Sequence, residues 1–363
     1  MKVLFAGRYN NTEILSGPEK VAKRIFREYS LRDKTVFAEY FFDGNRFSYL
    51  KKLFGSELVT TVNNSEVQRF GVFSLFFFLF KYKPTVIHVI TYERFALVCY
   101  LYKFFSNVKV VYNVHGIVSY ENNVLKNTGL IYSLKDKICE KIFLKYSDKL
   151  IFLSDNSVKH AGRICRIDTN KISLIPNGTD EIFYKNSLDK VYNKSNPLKI
   201  VFAGDESRTE KGFDFLIDSL EKIEFHIELF LIGSFSKFKD VKNVNIKFNI
   251  TDRMETDKFA GFLRDKDVFV SASSYEQFSI TAAEAMTAGL VPVVTEETGM
   301  SSYIKHHING FIFGYGNKEA LIEILGLLNS DRNLMQTVSL RSTEIFKELS
   351  WPNIFLKYKN LYE

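Results

Sequence analysis

Cysteine is scarce in this chain. Its 363 residues hold three, Cys99, Cys139 and Cys165, far apart and with no CxxC pair. That excludes a disulfide framework and points to reduced thiols in a cytoplasmic protein. Long apolar runs are also missing. The longest, "FGVFSLFFFLF" from Phe70 to Phe80, falls well short of the roughly 20 residues that a membrane-spanning helix needs. The opening "MKVLFAGRYN" is too brief in its apolar part for a secretory signal and lacks a small-residue cleavage site, so it reads as the first buried strand of a sheet. No GxGxxG opens either half, which argues against a dinucleotide-dependent dehydrogenase. No His, Cys, Asp and Glu cluster has metal-ligand spacing, and no nucleic-acid motif or short-period repeat is present. Neither a metal nor a nucleic-acid partner is expected.

What is present suits a globular protein, with 46% hydrophobic and 25% charged residues. The length is too great for one comfortable core, and two domains are expected. The formal charge of +7, with a pI near 9.0, attracts polyanions in general: nucleic acid, an anionic membrane surface, or phosphorylated small molecules.

Short apolar runs alternate with amphipathic stretches along most of the chain. "KVLFAG" precedes "PEKVAKRIFREYS", "TVIHVI" precedes "ERFALVCYLYKFF", and "VKVVYNVHG" precedes a stretch ending "DKICEKIFLKYSD". This is the rhythm of a parallel sheet covered by helices on both faces. A polar, aperiodic break runs from Ile175 to Pro197, after which the alternation restarts with "LKIVFAGDES". The reading is α/β: a domain over 1–180, a linker over 181–197, and a second Rossmann-like domain over 198–349. The last segment, from Ser350 as N-cap with Pro352 in the first turn, is expected to be a terminal helix over 350–363.

The segment "YEQFSITAAEAMTAG", residues 275–289, follows the strand-like "DVFVSAS". A strand-loop-helix unit at the carboxyl end of a parallel sheet is where ligands bind in open α/β folds. The first helix N–H groups, near Ser279 to Ala282, favour an anion there. Glu276 before the helix and Glu284 within it border that anion, and ionised acids suit hydroxyl donors. An anion flanked by polyols describes a nucleotide sugar. Two plainer readings of Glu276 stand beside this one, a helix cap or a partner for a surface lysine.

These residues carry a resemblance. "EQFSITAAE" with "AMTAGLVPVV" resembles the E-x7-E segment of retaining glycosyltransferases of family 4 (glycosyl transferases group 1). "FAGDESRTEKGFDFLIDSL", "KISLIPNGTDEIFY", "VVYNVHG", "INGFIF" and "SWPNIFLKYKNLYE" extend it over nearly the whole chain. The resemblance implies the GT-B fold: two Rossmann-like domains facing each other across a cleft, the C-terminal helix crossing back to the N-terminal one. It implies a nucleotide sugar, UDP- or GDP-linked, as co-substrate and retention of anomeric configuration without a metal. Glu276 is then expected to contact the transferred sugar, Glu284 the ribose, and the amides of Phe278, Ser279 and Ile280 the diphosphate. Gln277 and Ser279 stand where the family has Gly or often has it.

By the same resemblance Lys211, after Gly204 and before Gly212, supplies positive charge to the diphosphate. Glu206 occupies the place of the family's arginine, and Arg208 is the candidate substitute; an exposed charged turn is the plain alternative for both Arg208 and Lys211. The pair Asp265 and Asp267 in "DKD" leads into an apolar strand and reads as a solvated loop. Gly17, opening "GPEKVAKRIF", resembles the glycine-rich loop that faces the phosphates, with a simple strand-helix turn as its alternative. His115 follows a strand and aligns with the family's histidine beside the sugar, whereas His88 reads as structural.

The acceptor, a glycan or lipid-linked saccharide, falls to the N-terminal domain. There "NRFSYLKKLFG", over 45–54, interleaves Phe47, Leu50 and Phe54 with Arg46, Lys51 and Lys52. This helix either lies on anionic lipid, making the protein peripheral to the membrane, or covers the sheet. The expected function is a glycosyltransferase of cell-surface polysaccharide synthesis, in the class of lipopolysaccharide or capsule. The rivals are another GT-B enzyme, such as a sugar-nucleotide epimerase or a phosphorylase, and a two-domain sugar-binding protein.

Overall fold

The computed structural model describes residues 1–9, 16–41, 49–125, 130–188, 190, 197–235 and 243–362. Its contacts divide the chain into two compact units: unit 1 is Met1–Ile175 with Phe355–Glu363, and unit 2 is Pro176–Ile354.

Unit 1 is built on β1 (Val3–Ala6), β2 (Val36–Tyr40), β3 (Ser56–Val62), β4 (Ser65–Phe70), β5 (Val86–Val89), β6 (Lys109–Val114), β7 (Lys149–Phe152) and β8 (Ile172–Leu174). Their order in the sheet is β3-β4-β2-β1-β5-β6-β7-β8. Every pairing is parallel except the β3–β4 hairpin. A parallel sheet must be covered on both faces, and β1 and β5 are buried along their whole length. The hairpin has no counterpart among the sequence expectations. β3 is an edge strand with no buried residue, and it turns back through Asn63 at φ 52°; an edge strand buries too little to leave an apolar run.

Two polar side chains, His88 on β5 and Asn113 on β6, lie in the middle of this sheet and are fully buried. Buried polar groups need partners. His88 Nε2 meets Asn113 Oδ1 at 3.2 Å, its Nδ1 meets the Tyr362 hydroxyl, and Asn113 Nδ2 donates to Tyr358 Oη at 2.8 Å. The terminal helix Trp351–Tyr362 thus contributes its last turns to unit 1 by completing polar groups that the strands cannot complete. His88 is structural, as expected, and burial drives its pKa down to about 3.

Unit 2 is built on β9 (Leu198–Ala203), β10 (Ile227–Ile232), β11 (Ile246–Thr251), β12 (Val268–Ser271), β13 (Val291–Thr295) and β14 (Phe311–Phe313). The order is β11-β10-β9-β12-β13-β14, parallel throughout. Gly178 of the "NG" segment lies so close to the Trp351 indole that a Cβ would come within 2.6 Å of it, which explains the glycine there.

Two expectations need correction. The stretch read as a linker from 181 contains the helix Glu181–Leu188. Its one fully buried side chain, Phe183, stands edge-on to Phe259 at 6.0 Å, and a single anchor leaves no period to read. The Asp265–Asp267 turn is only half solvated. Asp265 is exposed and pairs with Lys199 and Lys266. Asp267 is largely enclosed, accepts from the Lys199 N–H at 2.9 Å, and faces Arg332 at 3.8 Å. Burial raises its pKa against these favourable partners. The three cysteines are unbridged, and no described helix is long and apolar enough to cross a membrane.

Candidate functional site

In an open parallel sheet the connections on either side of a reversal in strand order diverge, leaving a crevice at the strands' carboxyl ends. In unit 2 the reversal falls between β9 and β12, neighbours with Val268 opposite Ile200. The loop after β9 carries Gly204, Arg208 and Lys211. The loop after β12 carries Glu276, Phe278 and Ser279 and enters the helix Ile280–Thr287. Two residues chosen from the sequence for an anion and a sugar therefore meet at this point. Lys211 Nζ forms an ion pair with Glu276 Oε2, with only 18% and 17% of the side chains exposed.

Three close backbone approaches hold this pair. Gly212 has φ +73°, and a Cβ there would lie 1.9 Å from the Ala272 carbonyl. Only glycine fits both conditions, so the Lys211 turn is pressed against the end of β12. The Ser274 N–H donates to the Glu210 carbonyl at 2.9 Å across the same seam. On the other side, Gly299 donates its N–H to the Glu276 carbonyl at 2.8 Å, and a Cβ at Gly299 would lie 2.0 Å from the Gln277 carbonyl. The Glu276 loop is clamped between the segments that follow β9 and β13.

At the helix tip the amides expected to face an anion are not all open. Ser279 is the N-cap, and its Oγ accepts from the Ala282 N–H at 3.3 Å, so that amide is occupied. The N–H groups of Ile280 and Thr281 have no acceptor among the described residues. Ser279 holds φ +71°, the left-handed region that a non-glycine residue enters at a cost. The cap also removes the helix-capping reading of Glu276, whose carboxylate turns to Lys211. Phe278 is buried, edge-on to Tyr303 at 6.0 Å, so its backbone is what remains available to a ligand.

Glu284 lies in the second turn of the helix, almost fully buried among Ala282, Ala283, Ala285 and Met286. Small neighbours let the helix press into the unit, and an ionised acid there demands partners. Arg208 is not brought to the Lys211–Glu276 pair: it is half-exposed, with its Nε donating to Glu210 Oε1 at 2.6 Å. A cation that the sequence did not single out, Arg253 after β11, pairs with Asp205, which also accepts from the Ser234 N–H at 3.0 Å. No local pattern marks Arg253, because its partner lies far back in the sequence, in the loop after β9.

The remaining selected residues belong to unit 1. Gly17 opens the helix Gly17–Ser30, capped by Ser16, whose N–H and hydroxyl both donate to Glu19 at 2.9 and 2.8 Å. That cap accounts for the start of the helix; residues 10–15 of the preceding loop lie outside the described ones. His115 emerges at the carboxyl end of β6, half-buried. Its Nε2 faces Asn113 Nδ2 at 3.4 Å and its ring hydrogen-bonds the Ile90 carbonyl. Burial outweighs that bond and lowers the His115 pKa to about 4, so the imidazole is neutral near pH 7. The loop it opens is tied down by Glu140, which sequence reasoning missed. That buried carboxylate accepts from the Val118 N–H at 2.8 Å, the Ser119 N–H at 3.1 Å and the Ser119 hydroxyl. Burial raises the Glu140 pKa, and these bonds oppose the rise.

Among the described residues no group of three or more His, Cys, Asp and Glu is placed to hold a metal ion. The arrangement in unit 2 instead offers fixed amides, a lysine and two carboxylates, which suits a small anion carrying hydroxyl groups on both sides.

Comparison with known proteins agrees with this chemistry. Residues 55–182 match the family model described as Glycosyltransferase Family 4, and residues 185–343 match Glycosyl transferases group 1. An uncharacterised glycosyltransferase of Methanocaldococcus jannaschii is 26% identical over 305 residues, covering 78% of this chain and 86% of its own. The UDP-Gal:alpha-D-GlcNAc-diphosphoundecaprenol alpha-1,3-galactosyltransferase of Escherichia coli is 24% identical over 241 residues, 62% of this chain and 61% of its own. Among solved structures, Anabaena HepE in complex with UDP-glucose superposes with a TM-score of 0.72 at 18% identity, over 99% of both chains. The chain belongs to the family 4, group 1 glycosyltransferases and has their GT-B fold.

Proposed function

We propose that this glycosyltransferase moves a sugar, with retention of anomeric configuration, from a UDP- or GDP-linked donor to a glycan or lipid-linked saccharide in cell-surface polysaccharide synthesis. One observation carries the donor reading: the Lys211–Glu276 pair beside the open amides of Ile280 and Thr281, at the strand-order reversal of unit 2. In the free protein lysine and glutamate satisfy each other. A nucleotide sugar takes both, the diphosphate drawing the ammonium and the sugar hydroxyls drawing the carboxylate, so neither charge is left unpaired. As the bond to the anomeric carbon breaks, charge grows on the departing diphosphate. Lys211 and the helix amides, Ser279 and Phe278 included, lower the energy of that charge without reorganising.

Glu284 is assigned to the ribose hydroxyls. The leaving phosphate oxygen takes the acceptor proton on the same face of the sugar, so no protein carboxylate acts as base. His115, neutral through burial, is assigned a hydrogen-bonding role toward the sugar rather than acid catalysis. Arg208 reaches the phosphates only if it leaves Glu210. Metal is not required in this reading. The lipid-linked acceptor is supported by the activity for which the Escherichia coli relative is named, and a uridine donor by the UDP-glucose complex of the Anabaena protein.

Calorimetry with UDP and GDP tests the donor site. Wild-type protein is expected to bind one of them, and Glu284→Ala to weaken that binding by about tenfold or more, the loss of charge-assisted hydrogen bonds. Equal affinity in the variant overturns the ribose assignment. Turnover is expected to survive EDTA, and strict dependence on added manganese overturns the metal-free mechanism.

A further inference from the structure

The helix Val72–Tyr82 presents apolar residues on both of its sides. Its inner face buries Leu75 and Leu79 completely. On its outer face, where a helix covering a sheet normally carries charge, stand Phe73, Phe77 and Phe80, exposed by 43%, 65% and 41%. A helix apolar all round is buried or meets lipid, and one of 11 residues is too short to span a bilayer.

The neighbours extend the face rather than cover it. Phe54, at the end of the helix Tyr49–Phe54, stacks on Phe73 at 5.1 Å. Phe105, just after the helix Leu97–Lys103, approaches Phe80 at 6.3 Å, and Phe104 beside it is 78% exposed. The Tyr49–Phe54 helix buries none of its residues, so it does not cover the sheet in the way that one sequence reading allowed; residues 45–48 lie outside the described ones. Contiguous exposed aromatics on this scale mark an interaction surface.

Charge identifies the partner. Between Phe70 and Tyr120 the sequence has one acid, Glu93, against Lys81, Lys83, Arg94, Lys103 and Lys109. Lys81 and Lys83 are exposed at the end of the aromatic helix. Among the described residues, two acids of neighbouring elements, Glu57 and Asp148, are paired with Lys51 and Lys103 at 2.8 and 2.6 Å. Unit 1 as a whole contains 29 Lys and Arg against 16 Asp and Glu, a net +13. A second copy meeting this face brings the same positive charge against it, whereas an anionic bilayer neutralises it and accepts the phenyl rings below its headgroups. We propose that this aromatic face of unit 1 docks on the surface of an anionic lipid bilayer.

Co-sedimentation of the full chain with vesicles tests this without any nucleotide sugar, so its result is independent of the donor site. Wild-type protein is expected to pellet with vesicles of equal parts phosphatidylglycerol and phosphatidylcholine, and about tenfold less with phosphatidylcholine alone. The double variant Phe77→Glu/Phe104→Glu is expected to lose about tenfold or more of that partitioning with an unchanged melting temperature, since both side chains are exposed. Leu340→Glu, an equally exposed apolar site in unit 2, is expected to bind as wild type does. Three results overturn the proposal: wild-type protein that stays in solution with anionic vesicles, a double variant that binds undiminished, or a light-scattering dimer that the double variant dissolves while vesicle binding is absent.

Discussion

The two units have the same architecture and opposite charge. Unit 1 carries a net +13, while unit 2, with 20 Lys and Arg against 26 Asp and Glu, carries −6. Yet the candidate anion site lies in unit 2. Net charge sets the long-range field that steers and concentrates partners, but a small anion is held by what stands within a few ångströms of it. Unit 2 supplies that locally, with one enclosed lysine and a helix tip amid acids. The basic excess of unit 1 is spread over a surface instead, and a spread charge suits an extended anionic partner. The overall +7 of the chain described neither unit.

The comparison breaks most readily at Lys211. If local placement rather than net charge serves the diphosphate, Lys211→Ala should lower turnover by about 10²–10³, the scale of removing one fixed electrostatic contact from a leaving group. Lys81→Ala in unit 1, with the same loss of one charge, should leave turnover with a soluble acceptor unchanged. Steady-state kinetics on the two variants decide it, and similar losses in both sink the distinction.

A second effect falls on stability as well as activity. At Gly212 a Cβ meets backbone at 1.9 Å and φ is +73°, whereas at Gly204 its nearest neighbours are the Phe202 ring at 3.3 Å and Lys211 Cβ at 3.5 Å. Gly212→Ala should cost about 2–4 kcal/mol and take the Lys211 turn off β12, while Gly204→Ala should cost under about 1 kcal/mol. Thermal melts together with nucleoside diphosphate titration separate the two. A Gly212→Ala protein that melts and binds like wild type would show that the seam between the loops is not what holds the pair.

How much of this the sequence displayed follows from the range of each interaction. β1, β5, β6, β9 and β12 were legible because a fully buried parallel strand must be a continuous apolar run. The β3–β4 hairpin and the helix Glu181–Leu188 were not, since an edge strand and a one-anchor helix leave no period. Glu276, Glu284 and Lys211 were legible as chemistry in motifs. Their fixing was hidden: the approach of Gly212 to Ala272, of Gly299 to Gln277 and of Arg253 to Asp205 each joins loops that meet only once the sheet has ordered its strands. The same holds for Glu140 beneath the His115 loop.

Acid should act first on unit 1. His88 is fully buried there and His115 half-buried, with pKa lowered by desolvation to about 3 and about 4, against about 6.5 in an unfolded chain. Between those values the unfolded state binds protons that the folded state refuses. Stability from these groups is therefore present above about pH 6.5 and is lost as pH falls toward about 4. The ring resonances of His115 should stay those of a neutral imidazole at pH 5.5 by NMR. Titration near the ordinary value would show that its ring is not enclosed and would remove the neutral role proposed for it.

The smallest expected effect concerns the strain at Ser279. Its φ of +71° costs about 1–2 kcal/mol in a residue with a Cβ, and its hydroxyl returns part of this by accepting from the Ala282 N–H. Replacing an N-cap serine by glycine loses only a few tenths of a kcal/mol, though a more flexible unfolded chain takes back about 0.4–1 kcal/mol. The balance favours Ser279→Gly by under about 1 kcal/mol, a rise of roughly 1–3 °C in the melting of unit 2. Removing the Cβ also opens the backbone beside the free amides of Ile280 and Thr281, so affinity for a nucleoside diphosphate should not fall. A drop of several degrees would mean that the cap outweighs the strain and that the serine is held there for the helix rather than tolerated at the site.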